Sequence, residues 1–587
     1  MHAMNDKNLV LLPKGNHKIT LKKINSTVYV YVEYDRKYNP ETQHTTPLRQ
    51  CIGKLSESDP ERMIPNQHYP KYFGIEHLAD TLCGDRSCTL SVGTFIVLNK
   101  IIHDYKIDEY LKTAIPNDSY VGLFLDLVSY EIICGSNVMQ HYPNYAFKHP
   151  LFTPNMNIFS DSFVGTMLEN LSVDHRQCFL NQWNRERNKR EKIYVSYDST
   201  NRHSTAGDIQ MVEFGKPKDG KTDIPIINQG IAYDCTFREP LFYDSYPGSI
   251  VDVSMITHMV EKAVSYGYEN IGFILDRGYF AKENLFFMDY HNYDFVIMAK
   301  GNVDFIRGLI EDAMGTFELE REFLIPKFHL QGTTVKKKIF EDDDRDQIRF
   351  IHVYYNELVA AIERRKLEEQ ITRWEKELTK CLEKKVLSCS LDSYGRFFKF
   401  KFNEQNQLES FSANNRAIED EKFWYGYFCI ITSSEMTAAE ALKLYKGRDS
   451  SEKLFMIDKS FLGNHCYRVE SQSSKDSKEW IGFVAEIVRN KIYTCLMNCK
   501  DNNQIKSNEL TVPAILGELE KIEISRQLEG GYHLSYPLTK KQKIILSECF
   551  NISRENAMTR LLDLCKTINA IEKASKSSKN DCNVNEC

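Results

Sequence analysis

The chain has 587 residues, 42% of them hydrophobic and 27% charged, with a formal net charge of −6. That length can bury a large core and implies three or more domains, and the composition is of the soluble globular kind, not fibrous or disordered. An acidic balance excludes a global electrostatic pull towards nucleic acid, so any DNA contact has to come from local basic patches.

The N-terminus MHAMNDKNLV has no apolar run of the signal-peptide type. The most apolar long stretch, Tyr120 to Met139, contains Asp126 and Glu131, so the expectation is an intracellular protein without a membrane span. Sixteen cysteines are scattered with no CxxC pair. No His and Cys cluster completes a four-ligand set, which favours reduced structural thiols over zinc or disulfides.

From Asn8 to Lys54 the pattern is strand-like: STVYVYVEY (Ser26 to Tyr34), the turn-rich YNPETQHTTP, then LRQCIGKL. Residues 1–80 hold eleven Lys or Arg against nine Asp or Glu. The hairpin bearing Arg36, Lys37 and Arg49 fits either a phosphate-tracking element or a small sheet that only caps the next domain. Residues 81–190 turn helical, as over Thr94 to Leu111, Gly122 to Cys134 and Ser162 to Trp183, with Leu151 to Ser160 as a loop. They end in NRERNKREK, Asn184 to Lys192, with five cations and two acids. That run reads as a solvated linker lying directly before the next strand.

Residues 191–301 read as a mixed α/β layer. Lys192 to Ser199 is a strand that delivers Asp198 at its end, and Gln229 to Arg238 with Leu241 to Tyr246 form a hairpin. A helix over Asp252 to Tyr266 follows. Asn270 to Leu275 is then a short apolar strand buried on both faces, delivering Asp276. A helix over Ala281 to His291 and a strand over Asp294 to Ala299 complete the unit.

Residues 302–423 interrupt it as a sheet-containing insertion with a charged helix from Asn356 to Lys385. The acidic run Glu341 to Asp344 reads as hydrated surface, not as a metal site. Residues 424–500 resume the layer with a strand over Tyr425 to Thr432. Residues 501–587 form a helical tail, with helix from Lys540 to Ala570 and a disordered Ser-, Lys- and Asn-rich end.

The stretch Thr437 to Phe461 reads as one helix, opened by a capping box of Thr437 with Glu440. At about 100° per residue, Tyr445, Arg448, Glu452 and Lys459 fall within roughly 60° of one another, while Leu454, Ile457 and Phe461 gather elsewhere. Gly447 and the pair Ser450-Ser451 weaken that helix by about 1 kcal/mol or less each. Taken alone, such a face is commonplace surface chemistry.

Its meaning changes beside Asp198 and Asp276. Three hard oxygen ligands from separate elements are what a pair of Mg²⁺ ions needs. Two such ions about 4 Å apart can serve an in-line phosphoryl displacement.

The spacing Tyr445, Arg448, Glu452, Lys459 resembles the Tyr-Arg-Glu-Lys signature of bacterial insertion-sequence transposases with an Asp-Asp-Glu (DDE) triad, whose catalytic domain is ribonuclease-H-like. YDST at Tyr197 to Thr200 is similar to the first-aspartate motif and LDRGYF at Leu275 to Phe280 to the second. The sheet-rich insertion before the glutamate helix is a further likeness. VYVYVEY, CIGKL and the IPN at Ile64 to Asn66 resemble one branch of bacterial members, so the likeness runs from about residue 25 to 500.

The resemblance implies a ribonuclease-H-like mixed sheet interrupted by a β-rich insertion, behind an N-terminal β-hairpin and a helical region serving DNA binding or dimerisation. It implies a cytoplasmic enzyme that cleaves and joins double-stranded DNA, at element ends and target, as a homodimer. Asp198 would bridge two Mg²⁺ ions, with Mn²⁺ as a substitute, while Asp276 and Glu452 would each hold one. Tyr445, Arg448 and Lys459 would grip phosphates. The alternatives are a ribonuclease-H-like nuclease or resolvase without strand transfer, and an inactive DNA-binding relic.

Overall fold

The computed structural model describes residues 10–14, 17–24, 26–39, 43–56, 59–66, 68–73, 86–190, 192–250, 255–299, 304–340, 343–384, 391–501, 511–526 and 531–582. It is a mixed α/β structure with several sheets, divided into two compact units. One holds Met1–Gln182, Ala206–Ile209 and Ile457–Cys587, the other Trp183–Thr205 and Gln210–Met456.

In the first unit, β1 (Val10–Leu11), β2 (Lys18–Ile24), β3 (Thr27–Asn39), β4 (His44–Leu55) and β5 (Arg62–Pro65) form an antiparallel sheet in the order β1-β5-β4-β3-β2. The alternation in VYVYV puts Val30 and Val32 on one face, where they pack with Val10, Ile52, Met63 and Tyr69. Gly53 (φ +155°) is needed there, because a Cβ would stand 2.1 Å from the Ile64 carbonyl oxygen as β4 meets β5. Past Glu33, β3 and β4 run on as a two-stranded ribbon from Asp35 opposite Leu48 to Asn39 opposite His44.

β6 (Thr89–Ser91) pairs with Glu523–Arg526, which in turn pairs with Tyr532–Leu534. The helix Asp118–Cys134 starts on an Asn117 side-chain cap and ends at Gly135 in the left-handed region. It is buried along most of its length, and Phe124 packs at a tilt against Trp480 of the long helix Gln472–Asp501, ring centroids 4.7 Å apart. Among the described residues no single helix is long and apolar enough to cross a membrane, and the described cysteines are free thiols. The tail departs from expectation: the helix Arg554–Cys582 carries on through most of the stretch read as disordered.

The second unit is built on a nine-stranded sheet. Its strands are β7 (Ile193–His203), β8 (Ile226–Asp234), β9 (Glu239–Pro247), β10 (Ile271–Leu275), β11 (Asp294–Met298), β12 (Leu324–Ile325), β13 (Leu330–Lys337), β14 (Arg349–Tyr355) and β17 (Tyr427–Thr432). They lie in the order β12-β13-β14-β17-β11-β10-β7-β8-β9. β7, β8 and β9 are an antiparallel meander, whereas β10 is parallel to β7 and β11 parallel to β10. The helices Ile256–Ser265 and Lys282–Tyr290 make the crossovers that parallel pairing requires.

Residues 302–423 contribute in two ways. β12, β13 and β14 extend the large sheet by pairing with β17. The helix Glu357–Glu383 and the hairpin of β15 (Phe398–Phe402) with β16 (Leu408–Ala413) enclose a core of their own around Leu367, Ile371, Leu378 and Phe398.

The run Asn184 to Lys192, expected as a solvated linker, is instead anchored. Arg187 is buried, lies over the Trp183 ring and pairs with Glu239 at 3.1 Å. Arg190 pairs with Asp234 at 2.5 Å and with Glu239 at 2.7 Å. Cations alternating with polar residues look solvated in sequence, but β8 and β9 supply buried acids to meet them.

Candidate active site

β7 is longer than its β-propensity suggests. It runs to His203 because β8 pairs with it throughout, so Asp198 lies mid-strand opposite Ile231, not at a strand end. The parallel neighbour stops sooner. β10 ends at Leu275, and the register that pairs Ile271 with Ile193 and Ile274 with Ser196 carries Asp276 to the level of Asp198. Adjacent strands stand about 4.8 Å apart, and residues on one rung share a face. The two aspartates therefore meet.

Arg448 marks the meeting point: its Nη1 lies 3.9 Å from Asp198 Oδ2 and 3.9 Å from Asp276 Oδ2. Asp276 is further fixed by accepting the Gly278 amide at 2.7 Å, the cap of the short turn Arg277–Tyr279. A Cβ at position 278 would stand 2.8 Å from Asp276 Oδ1, so the Asp-Arg-Gly spelling has a steric reason.

Asp198 accepts its neighbour's amide, from Ser199, at 2.8 Å. Burial pushes its carboxyl up from the ordinary aspartate value; Lys218, the Ser199 amide and Arg448 pull it back, and Asp276 adds to the rise.

Lys218 is the neighbour of Asp198 that pattern reading missed. Its ammonium stands 3.5 Å from Asp198 Oδ1 and donates to the Ser199 carbonyl at 2.5 Å and hydroxyl at 2.8 Å. It is positioned by Asn201, whose Oδ1 accepts the Lys218 amide at 2.7 Å and whose amide group donates to Asn228 at 2.6 Å. Asn228 in turn donates to the carbonyls of Pro247 and Ile250, each at 3.1 Å. The one legible signal is the buried polar Asn201 just after the YDST string; the loop lysine itself has no pattern.

The stretch expected as one helix is two, Ala438–Gly447 and Asp449–Phe461, joined at Arg448. Gly447 at the junction follows the low propensity noted above, and it lets the first helix pass close to Cys235, 3.3 Å from where a Cβ would be. The capping box of Thr437 with Glu440 is present.

Tyr445, expected on the polar face, is 6% exposed. It packs among Ile274, Val296, Ile430 and Leu442, with its hydroxyl 3.6 Å from the Met298 sulfur. Arg448 lies beside that ring, 5.6 Å from its centroid. Glu452 is on the second helix, and its side chain lies outside the described residues. Lys459 is half-buried in the last turn of the same helix. Among the described residues no three metal-ligating side chains converge. The convergence seen is of two acids and two cations.

Of the acidic run Glu341 to Asp344, the first two residues lie outside the described set. Asp343 pairs with Lys282 at 3.0 Å and Arg345 at 2.7 Å.

A pair of neighbouring hard carboxylates is a donor set that a divalent cation can use, and a guanidinium beside them can meet a phosphoryl oxygen. Residues 195–475 match the family model of the transposase DDE domain. Asp198, Asp276, Tyr445, Arg448, Glu452 and Lys459 all fall within the matched stretch, which is somewhat less than half of the chain. A search of curated proteins returns no match. The transposase DDE domain match supports a DDE-type transposase and, with it, nuclease and transesterase chemistry.

Proposed function

We propose that this chain is a DNA transposase that cleaves double-stranded DNA at the ends of an insertion sequence and joins the freed 3′ ends to a target. The observation that carries the reading is the meeting of Asp198 on β7 with Asp276 just past the end of its parallel neighbour β10, within the stretch that matches the transposase DDE domain. An antiparallel meander continued by two parallel strands supports a ribonuclease-H-like core. In this reading residues 1–80 serve DNA-end binding, 81–190 serve DNA binding or dimerisation, and the protein acts as a homodimer in the bacterial cytoplasm.

The donor set fits a hard divalent metal: two carboxylates lie within reach of one cationic nitrogen, and one of them is held in a buried setting that disfavours its bare charge. Asp198, Asp276 and Glu452 would hold Mg²⁺, or Mn²⁺ in its place. Two bound ions would supply activation of the attacking oxygen and neutralisation of charge on the leaving one.

The chain's own groups do the rest. The β7–β10 ladder and the Ser199 and Gly278 amides hold the two acids in place before substrate arrives. Arg448 neutralises the acid pair and presents its planar fork to a phosphate when DNA binds. Lys218 tempers the buried charge of Asp198. Tyr445 backs Arg448 from the core, and Lys459 adds a point charge for the DNA backbone.

The test is incubation of the protein with the DNA that flanks its own gene and Mg²⁺, scored for cleaved and joined products. The parent should give both and Glu452→Gln neither. Nicks without joined products would mark the nuclease reading, and equal activity of Asp198→Asn would end the catalytic reading altogether.

A further inference from the structure

The face of the N-terminal sheet turned away from Val30 and Val32 is written in rungs across three strands. One rung reads Lys22, Tyr29, Lys54, the next Thr20, Tyr31, Cys51, and the third Lys18, Glu33, Arg49. Residues directly opposite in an antiparallel pair share a face, so the four cations frame two tyrosines. Lys18, Lys22 and Arg49 are exposed, and Lys54, Tyr29 and Tyr31 are half-buried. The lone acid is already neutralised: the Glu33 side chain is 6% exposed and pairs with Arg36 at 2.7 Å and Arg49 at 3.8 Å. Among the described residues Lys18, Lys22 and Lys54 make no ion pair. Lys54 instead lies 5.8 Å from the Tyr29 ring centroid.

Four cations against a single acid on one face are out of keeping with a chain whose net charge is −6. Nothing in the sheet's core needs it, since the apolar packing is all on the other side. At about 3.3 Å per residue and 4.8 Å per strand the cations mark the corners of a patch roughly 13 by 10 Å. That is about the 12 Å width of a DNA major groove, so the two rungs match phosphates on opposite lips of one groove.

We propose that this face, through Lys18, Lys22, Arg49 and Lys54, grips the sugar–phosphate backbone of duplex DNA, with Tyr29 and Tyr31 as the floor against which the backbone lies. It names a DNA-holding surface for the transposase proposed above and rests on that reading for its biological partner. Lysine contacts of this kind position DNA and carry no base code. The affinity is therefore electrostatic, tolerant of sequence and steeply salt-dependent.

The test uses the full-length protein, fluorescently labelled duplexes carrying its own flanking DNA or an unrelated sequence, and the matching single strand, titrated over a series of salt concentrations. The triple variant Lys18→Ala/Lys22→Ala/Lys54→Ala keeps Arg49, so that Glu33 stays paired. It should bind both duplexes about tenfold or more weakly and lower the slope of log K against log salt by two to three units. Lys23→Ala, on the opposite face of β2 across from Val28, should leave both quantities unchanged. Circular dichroism and melting confirm that each variant is folded.

An unchanged slope in the triple variant overturns the proposal, as does an equal loss in Lys23→Ala or a loss confined to the single strand. Cleavage separates the two levels of the argument. A triple variant that falls in affinity while the parent never cuts with Mg²⁺ would keep the face and refute the transposase. A parent that cuts while the triple variant binds normally would do the reverse.

Discussion

Lys218 stands 3.5 Å from the carboxylate of Asp198, brought there from a loop by a chain of two buried asparagines. The loop thus supplies a counter-ion that the sheet lacks, and it opposes the rise that burial imposes on Asp198. Lys218→Met should let the carboxyl rise further, moving the acid limb of the pH profile for Mg²⁺-dependent cleavage to higher pH. A limb that stays in place would show that the ammonium does not act on Asp198.

Asp198→Asn should abolish cleavage and yet leave the protein as stable as the parent or more so at pH 7. The folded-state carboxyl ionises at higher pH than an unfolded aspartate, so ionisation above that point favours the unfolded chain, and the penalty vanishes as pH falls. A neutral isostere escapes it. Urea melts without metal test this, and a clear loss of stability would mean that the pairing with Lys218 and Arg448 outweighs burial.

His352 gives the fold a dependence of the opposite sign. It is fully buried on β14, with Nδ1 2.9 Å from the Thr334 hydroxyl and Nε2 3.1 Å from that of Thr432. Thr432 donates to the Ser434 carbonyl at 2.9 Å, so its oxygen accepts from Nε2 and Nδ1 accepts from Thr334. Burial lowers the imidazole to about 4 from 6.5.

The unfolded chain therefore binds the extra proton, and stability falls as pH drops from about 6.5 to about 4. The size is about 3 kcal/mol. Urea melts at the two ends of that window should show the loss, and His352→Gln should flatten it.

Tyr445→Phe should leave DNA affinity untouched, because the hydroxyl faces the Met298 sulfur from within the core. Tyr445→Ala should cost about 3–5 kcal/mol of stability through the cavity it opens. Weaker DNA binding by a stable Tyr445→Phe protein would restore a direct phosphate contact.

How much could be read beforehand varied with the physics involved. The apolar run at Ile271–Leu275 was legible because a strand buried on both faces has no polar alternation. The length of β7 was not, because Ser199 to His203 are polar and become strand only through pairing with β8.

Helical spacing put Arg448 on one face with Glu452, without its contact to Asp198 and Asp276, and it misjudged Tyr445, since angular position on one helix says nothing of what packs against it. Arg187 and Arg190 were misread for the same reason: their acidic partners are about 50 residues away in sequence. Asp198 and Asp276 stand out by local spelling, while Lys218, held by side chains from other strands, carries no such mark.

The ladder of β7 and β10 also apportions freedom. Hydrogen-bonded strands do not slide or stretch, so the last pair, Ser196 with Ile274, sets from two residues away where each aspartate starts. Any tuning of the reaction to a different metal radius or a different bend in the substrate therefore falls to the groups that reach in from outside the ladder. Evolution and the engineer alike would find their adjustable screws on the helix and the lysine loop, with the paired strands as the fixed bench.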